Sequence, residues 1–368
     1  MTTHATHIDR GALDTWPKLL QDNSARFGRK SKAMRYKHYG IWQSYSWQDY
    51  LSRVKYLALG LRSLGFDPGS RLLIVGDNSP EWFFAQMAAQ CNRGVSVGLY
   101  SDLSAAEVEY VAADSQAAFA MVEDEEQADK ILLIRERLPH LKVVIYWRYK
   151  GLSRHDNGAF IGLRDVLELG RRYEEEHPGV FEESIAAGGA DDACAIVYTS
   201  GATGEAPKGA LHSHRSLMTS AWAYYELDRL SPKDDLACTL PPAWITEQWV
   251  AFGCHLLCGG TVNYAESSET QQEDMREIAP TMALYNSRLW ENQAGRVQAR
   301  LRGASFLKRT VSSRLMPVGC LSCFPLSAGA RTSSWYSIAG SADHTAARTW
   351  RSCATTPRDM KRLRPRLW

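Results

Sequence analysis

The chain has 368 residues, enough for more than one average domain and a large buried core. Its 45% hydrophobic and 23% charged residues are those of an ordinary globular protein, and a net charge of +2 gives no bulk electrostatic case for nucleic acid or an anionic membrane. No apolar run approaches the roughly 18–20 residues that span a bilayer. The opening "MTTHATHIDRGALDTW" lacks the basic-then-apolar order of a secretory signal. The expected location is cytoplasmic, with peripheral membrane contact left open.

The first third reads as alternating strands and helices. In "WQSYSWQDYLSRVKYLALGLRSLGF" a strand-like run gives way to a capping signal, Ser46 with Asp49 three residues on. The stripe Tyr50, Leu51, Val54, Leu57, Ala58, Leu61 and Leu64 then has helical spacing and stops at Gly65. "RLLIVG" is the short continuous apolar run of a strand buried on both faces. "NSPEWFFAQMAAQCNRG" offers Asn78 or Ser79 as a cap, Pro80 for the first turn and a glycine to end on. "VSVGLY", "SAAEVEYVAADS", "AAFAMVED" and "EEQADKILLIRERLPHLKVVIYW" continue the rhythm, which predicts an α/β fold with parallel sheet covered by helices.

From Tyr149 to Asp192 the chain turns polar, and the run Glu174–Glu176 reads as a solvated helix face. A boundary is expected near Gly188–Gly189. Beyond it "HRSLMTSAWAYYEL" reads as helix, "DDLACTLPP" as strand and turn, and "EQWVAFGCHLLCGGTVNY" as helix, glycine stop and strand. The last 49 residues differ in character: they hold no glutamate and two acids against eight bases, with no sustained period of 2 or 3.6. That pattern fits a stretch translated out of register; a disordered basic tail is the alternative. The eight cysteines read as free thiols of a reducing compartment. Cys254 and Cys258 lack a second ligand pair at finger-like spacing, so no metal site is expected.

"YTSGATGEAPKGALHSH", Tyr198 to His214, follows the apolar run "ACAIVYT". Glycine backbone can turn sharply and bring its N–H groups close to an anion. Hydroxyls add donors, and a lysine adds a point charge suited to phosphate. Thr199, Ser200, Gly201, Thr203, Gly204 and Lys208 therefore form a candidate phosphate cradle, with a plain surface turn as the other reading of such a composition. It is not a Walker loop, because Pro207 stands where that motif needs glycine before lysine.

The same stretch resembles the signature loop of the adenylate-forming enzymes, near "YTSGTTGxPKG" followed by "SH". "LLIVGDNSPEWFFAQMAAQCNRGVSVGLY" is similar to their early strand–helix–strand unit. "LPPAWITEQ" resembles the "LPLAHxxE" segment, and "IAPTMALYNSRLWEN" the "PT…PRxWE" segment, of the long-chain fatty acyl-CoA synthetases. The resemblance runs from about Thr15 to Gly319. It implies the N-terminal part of a large adenylation domain, with 1–190 a first α/β subdomain, 191–319 the start of a second that carries the phosphate loop, and 320–368 outside the pattern. It also implies activation of a long-chain fatty acid by ATP to acyl-adenylate and then acyl-CoA, with ATP, Mg²⁺ and coenzyme A as reaction partners. An adenylating ligase for another carboxylic acid is the alternative.

Carried over by position, the six loop residues would hold the β- and γ-phosphates. Trp244, at the "LPLAH" histidine position, and Glu247, at the acid, would belong to the acyl and adenylate pocket, Glu247 more as support. Arg288 and Trp290 match the "RxWE" pair as packing residues. His212 and His214 read as ordinary loop and helix-start residues. This sequence departs from the pattern by Ala202, which removes a hydroxyl, and by the pair Glu205–Ala206 where the family has one residue. The extra residue displaces Lys208 by up to about 3.5 Å along the chain, and Glu205 sets a like charge beside the anion. No "YGxTE" segment occurs in the sequence, so the adenine side of the pocket is unaccounted for, and an inactive fragment is the competing reading.

Overall fold

A computed structural model describes residues 8–151, 160–199 and 206–285, with isolated positions out to 303. Chain order runs α1 (Trp16–Phe27), β1 (Lys32–His38), β2 (Ile41–Ser46), α2 (Trp47–Ser63), β3 (Arg71–Val75), α3 (Pro80–Cys91), β4 (Val95–Leu99), α4 (Ala105–Ser115), β5 (Phe119–Val122), α5 (Glu125–Ile134), β6 (Val143–Tyr146), β7 (Phe160–Gly162), α6 (Leu163–Glu176) and α7 (Val180–Ala187). Then come β8 (Ala193–Thr199), β9 (Lys208–Ser213), α8 (His214–Asp228), β10 (Asp235–Cys238), the single turn α9 (Ile245–Glu247), a π-helical stretch Gln248–Cys254, α10 (His255–Cys258), β11 (Thr261–Tyr264), α11 (Gln271–Ile278) and β12 (Met282–Ala283). Arg288, Trp290 and the segment from 320 onward lie outside the described residues.

The local signals act where the sequence places them. Ser46 and Asp49 form a reciprocal capping box, with Asp49 N–H donating to Ser46 Oγ at 3.1 Å and Ser46 N–H to Asp49 Oδ2 at 3.1 Å. Of the two candidate caps for α3, Ser79 takes the role, bonding Trp82 N–H, with Pro80 in the first turn. At the far end of α3 the left-handed residue is Arg93 (φ 57°) rather than the expected glycine. Arg93 also pairs with Asp192 at 3.0 Å, tying that corner to the start of β8.

Strands β7, β6, β5, β3, β4 and β8 stand parallel in that order, with β9 antiparallel at the edge. A second sheet has the order β12-β10-β11-β1-β2, in which only the β1–β2 pairing is antiparallel. Both sheets thus draw strands from either side of residue 190. The period-2 geometry of a strand explains the unbroken apolar run in β3. Leu72 and Ile74 face one core with Phe119, Met121 and Ile145; Leu73 and Val75 face another with Val97, Ala120, Val122 and Val144. The second core is closed by α4 and α5. The first is the interior of the molecule, where α1, α2 and α3 lie between the sheets and contribute Trp16, Trp47, Tyr50, Trp82 and Phe83, met by Phe252 and by Tyr264 from β11. On the outer side of the second sheet, Met275 and Ile278 of α11 cover Ala237. The result is a layered α/β fold of parallel and mixed sheets, as the alternating pattern predicts.

Two contacts in this frame are not visible in the pattern. Helices α2 and α6 approach backbone to backbone: a Cβ at Gly60 would overlap the carbonyl of Val166, and one at Gly170 the carbonyl of Tyr56. The acidic end of α6 is otherwise solvated, apart from Glu174, which shares Lys55 with Glu182. His255 stacks on Trp47 with ring centroids 4.6 Å apart and takes part in a 2.9 Å hydrogen bond from Nδ1 to the carbonyl of Gly260. Burial holds its imidazole neutral, pushing the pKa down to about 3.

Two predictions follow from these contacts. Substituting Gly170→Val should destabilise the fold by about 1–3 kcal/mol or more in urea unfolding, the cost of overpacking a contact that has no room. His255 is depressed below its ordinary 6.5, so its contribution to stability is complete above pH 6.5 and is lost as pH falls toward 3. His214, held at about 4 by burial, acts in the same direction. Denaturant titrations between pH 6.5 and 4.5 should show His255→Asn losing one proton's worth of slope, about tenfold in the unfolding constant per pH unit.

Candidate functional site

Thr199 and Lys208 face each other in the last pairing of the β8–β9 ladder, so the phosphate-loop candidate is the connection of an antiparallel hairpin. Both residues are exposed. Ser200, Gly201, Thr203 and Gly204 lie outside the described residues. Helix α4 braces the hairpin from one side: Tyr110 Oη donates to the carbonyl of Pro207 at 3.0 Å, and Tyr198 Oη to Asp114 Oδ2 at 2.5 Å. His214, just past the hairpin, is buried and its Nδ1 accepts the N–H of Trp16 at 3.5 Å. It is a structural helix-start residue, as expected.

Because β8 runs parallel to β4, the end of β8 lies on the same edge of the sheet as the ends of β3 and β4. The carboxyl edge of a parallel sheet is where α/β folds bind ligands. The segment 239–248 reaches this edge too. Asn78 Nδ2, in the turn after β3, donates to the carbonyl of Leu240 at 2.8 Å. Gln86 Nε2 on α3 donates to Gln248 Oε1 at 2.6 Å, and Gln248 Nε2 to the carbonyl of Pro242 at 2.7 Å. Gly98 of β4 lets the segment come close, since a Cβ there would sit 3.1 Å from Ala243 Cα and 2.9 Å from the Trp82 ring.

Trp244 is half-buried on this segment, its N–H bonded to the Pro241 carbonyl at 2.9 Å, and it packs on a small core that includes Leu230, Leu240, Val250 and Leu284. Glu247, three residues on, is fully buried. Its Oε1 accepts the N–H of Thr239 at 3.0 Å, the Cys238 thiol lies against the carboxyl, and Oε2 has no partner. Burial pushes its pKa up to about 8 against those hydrogen bonds. In this conformation Glu247 offers no surface to a ligand.

Loop composition marks the connection after β8 and the family resemblance marks the Trp244 segment; the fold pairs β9 with β8 and sets both on one edge. Neither sequence signal locates Asn78, Gln86 or Gln248. Asn78 reads locally as a helix cap, and a lone glutamine on a helix gives no signal of the segment it will meet 162 residues away. Among the described residues no group of three His, Cys, Asp or Glu side chains is arranged to hold a metal ion.

Comparison with known proteins places this architecture. The sequence profile of the AMP-binding enzyme family matches residues 20–351. Long-chain-fatty-acid–CoA ligase ACSBG2 of Xenopus laevis is 28% identical over 309 residues, covering 82% of this chain and 41% of the relative. ACSBG2 of Gallus gallus is 30% identical over 316 residues, covering 84% and 40%. The chain thus spans about two fifths of the length of these curated relatives. Among solved structures, the adenylation domain of a carboxylate reductase from Mycobacterium chelonae superposes with a TM-score of 0.67 at 19% identity, over 86% of this chain and 53% of that one. A structure described as a putative long-chain-fatty-acid CoA ligase from Rhodopseudomonas palustris gives 0.62 at 20%, over 76% and 64%. These structures share the fold, and with the family profile running through most of its sequence, the chain belongs to the AMP-binding enzyme family.

Proposed function

We propose that this chain is part of an AMP-forming ligase that activates a long-chain fatty acid, and that its β8–β9 hairpin grips the β- and γ-phosphates of ATP. The observation that carries the reading is the pairing of Thr199 with Lys208 across the mouth of a glycine-rich hairpin at the carboxyl edge of a parallel sheet. In such a reaction a carboxylate oxygen attacks the α-phosphorus, the bond to the pyrophosphate oxygen breaks, and pyrophosphate leaves with the added charge. Coenzyme A thiol then displaces AMP. A lysine and backbone donors fixed around the β- and γ-phosphates stabilise that departing charge. Mg²⁺ bound to the phosphates would add to that stabilisation.

On this reading Trp244 forms acyl-side wall and Glu247 supports that wall from behind. The fatty acid is favoured over other carboxylic acids because the curated relatives carry long-chain-fatty-acid–CoA ligase names. The sequence holds no "YGxTE" segment, and we infer that this chain by itself binds triphosphate without completing adenylyl transfer.

Titration calorimetry should show salt-sensitive ATP binding that weakens about ten- to a hundredfold in Lys208→Ala, the worth of a charge-assisted contact. Binding that ignores Lys208 would remove the hairpin from the site. Palmitate-dependent ATP–pyrophosphate exchange is expected to be absent. Exchange that is present and lost in Lys208→Ala would show the chain to be a competent adenylating unit, and a panel of short-chain and aryl acids in the same assay tests the choice of acid.

A further inference from the structure

Tyr110 and Asp114 stand one turn apart on the same face of α4, and both reach the β8–β9 hairpin. Each meets a different arm. Asp114 Oδ2 accepts the Tyr198 hydroxyl of β8 at 2.5 Å, a short bond of the charge-assisted kind. Tyr110 Oη donates to the carbonyl of Pro207, the residue before Lys208, at 3.0 Å. Helix α4 is itself held without help from the hairpin. Ser104 and Glu107 close a capping box at its start, and Val108, Val111 and Ala112 are buried in the core it shares with β3, β4 and β5. Glu109 pairs with Arg137, just past α5, at 2.7 Å. The helix is therefore a fixed reference for two strands at the margin of the sheet.

That reference bears on register. In the ladder Tyr198 faces Gly209 and Thr199 faces Lys208. The Tyr198 ring lies over the glycine: a Cβ at position 209 would sit 2.9 Å from Tyr198 Cζ and 2.8 Å from Ile196 Cγ2. A slip of two residues is the smallest that leaves every side chain on its own face. It would set Pro207 or Leu211 against that ring and pull the Tyr198 hydroxyl from Asp114. It would also carry Lys208 about 7 Å along the strand, away from Thr199.

We propose that Tyr110 and Asp114 are positioning residues for the phosphate contact: α4 clamps both arms of the hairpin in the register that places Lys208 opposite Thr199. This rests on the reading of the hairpin as the grip on polyphosphate. Each side chain acts through the strand it holds, and Gly209 is the steric half of the same device. Both hydrogen bonds lie at the surface, so their loss leaves the core packing intact.

Tyr110→Phe deletes only the hydroxyl. Its ATP affinity in titration calorimetry should fall about threefold to tenfold, the worth of one hydrogen bond, while the urea midpoint stays near wild type. Because Tyr110 acts through Lys208, the loss should disappear in a Lys208→Ala background. Asp114→Ala should behave as Tyr110→Phe does, and Asp114→Asn, whose amide oxygen still accepts from Tyr198, should restore most of the affinity. Unchanged affinity in Tyr110→Phe and Asp114→Ala, or a loss of equal size without Lys208, overturns the proposal. The same variants are read without nucleotide by amide hydrogen exchange. Peptides covering 208–213 should exchange about threefold to tenfold faster than in the wild type, while those of β3 stay flat; equal exchange ends the clamp whatever ATP does. Wild-type chain that fails to bind ATP, or binds it indifferently to Lys208, is instead a failure of the phosphate reading, and faster exchange in the variants then leaves α4 as a clamp on register alone.

Discussion

Two side-chain amides, from Asn78 and Gln86, tie the Leu240–Gln248 segment to the carboxyl edge of the seven-stranded sheet, and the candidate site exists only because they do. Without that tether the hairpin between Thr199 and Lys208 would be a projection on one sheet and Trp244 a packing residue of the other. The Gln86–Gln248 arm is buried and the Asn78 arm half-buried, so in the buried arm removing one partner leaves a desolvated donor or acceptor, which costs more than an average hydrogen bond contributes. Gly98 is the steric half of the same contact, because the segment can lie on β4 only where no side chain intervenes.

The interior layer of α1, α2 and α3 makes this possible by serving two sheets at once. Its aromatic side chains pack against β3 and β5 on one side and against β11 on the other, and the stacked pair Trp47–His255 joins α2 to the end of the π-helical region. Apolar burial of this extent is the dominant stabilising term in any domain of this size. The two polar groups buried within it, His255 and Glu247, work in opposite pH directions. The imidazole, held neutral, withdraws stability as pH falls below 6.5; the carboxyl, held neutral, withdraws it as pH rises above 4.5. Folding stability is thereby drawn down on both sides of the mildly acidic range.

Family membership and local chemistry bear on different parts of the chain. The match to the AMP-binding enzyme family spans residues 20–351, whereas the geometry that can be argued from atoms is concentrated at the sheet edge formed by β3, β4, β8 and the Leu240–Gln248 segment. On the proposed reading, Lys208 and Thr199 at that edge would meet polyphosphate and Trp244 the acyl side. The chain spans about two fifths of the length of its curated relatives.

Much of the layered fold was legible in the residues themselves. The Ser46–Asp49 capping box, Pro80 in a first turn and the unbroken apolar run of β3 are local signals, set by backbone sterics and hydrogen bonding within a few positions. The loop after β8 stood out for the same reason, since glycine, hydroxyl and lysine crowd into one short stretch of sequence, but the pairing of its far arm, β9, with β8 was not foreseen. What only the tertiary structure decided were matters of long-range partnership. These include the exchange of strands across residue 190, the backbone contact of Gly60 and Gly170, and the reach of Asn78 and Gln86 to a distant segment. The burial of Glu247 belongs with them: in the sequence it is marked only by resemblance, as an acid supporting the acyl side, and its raised pKa follows from burial in the fold, against the hydrogen bonds it accepts.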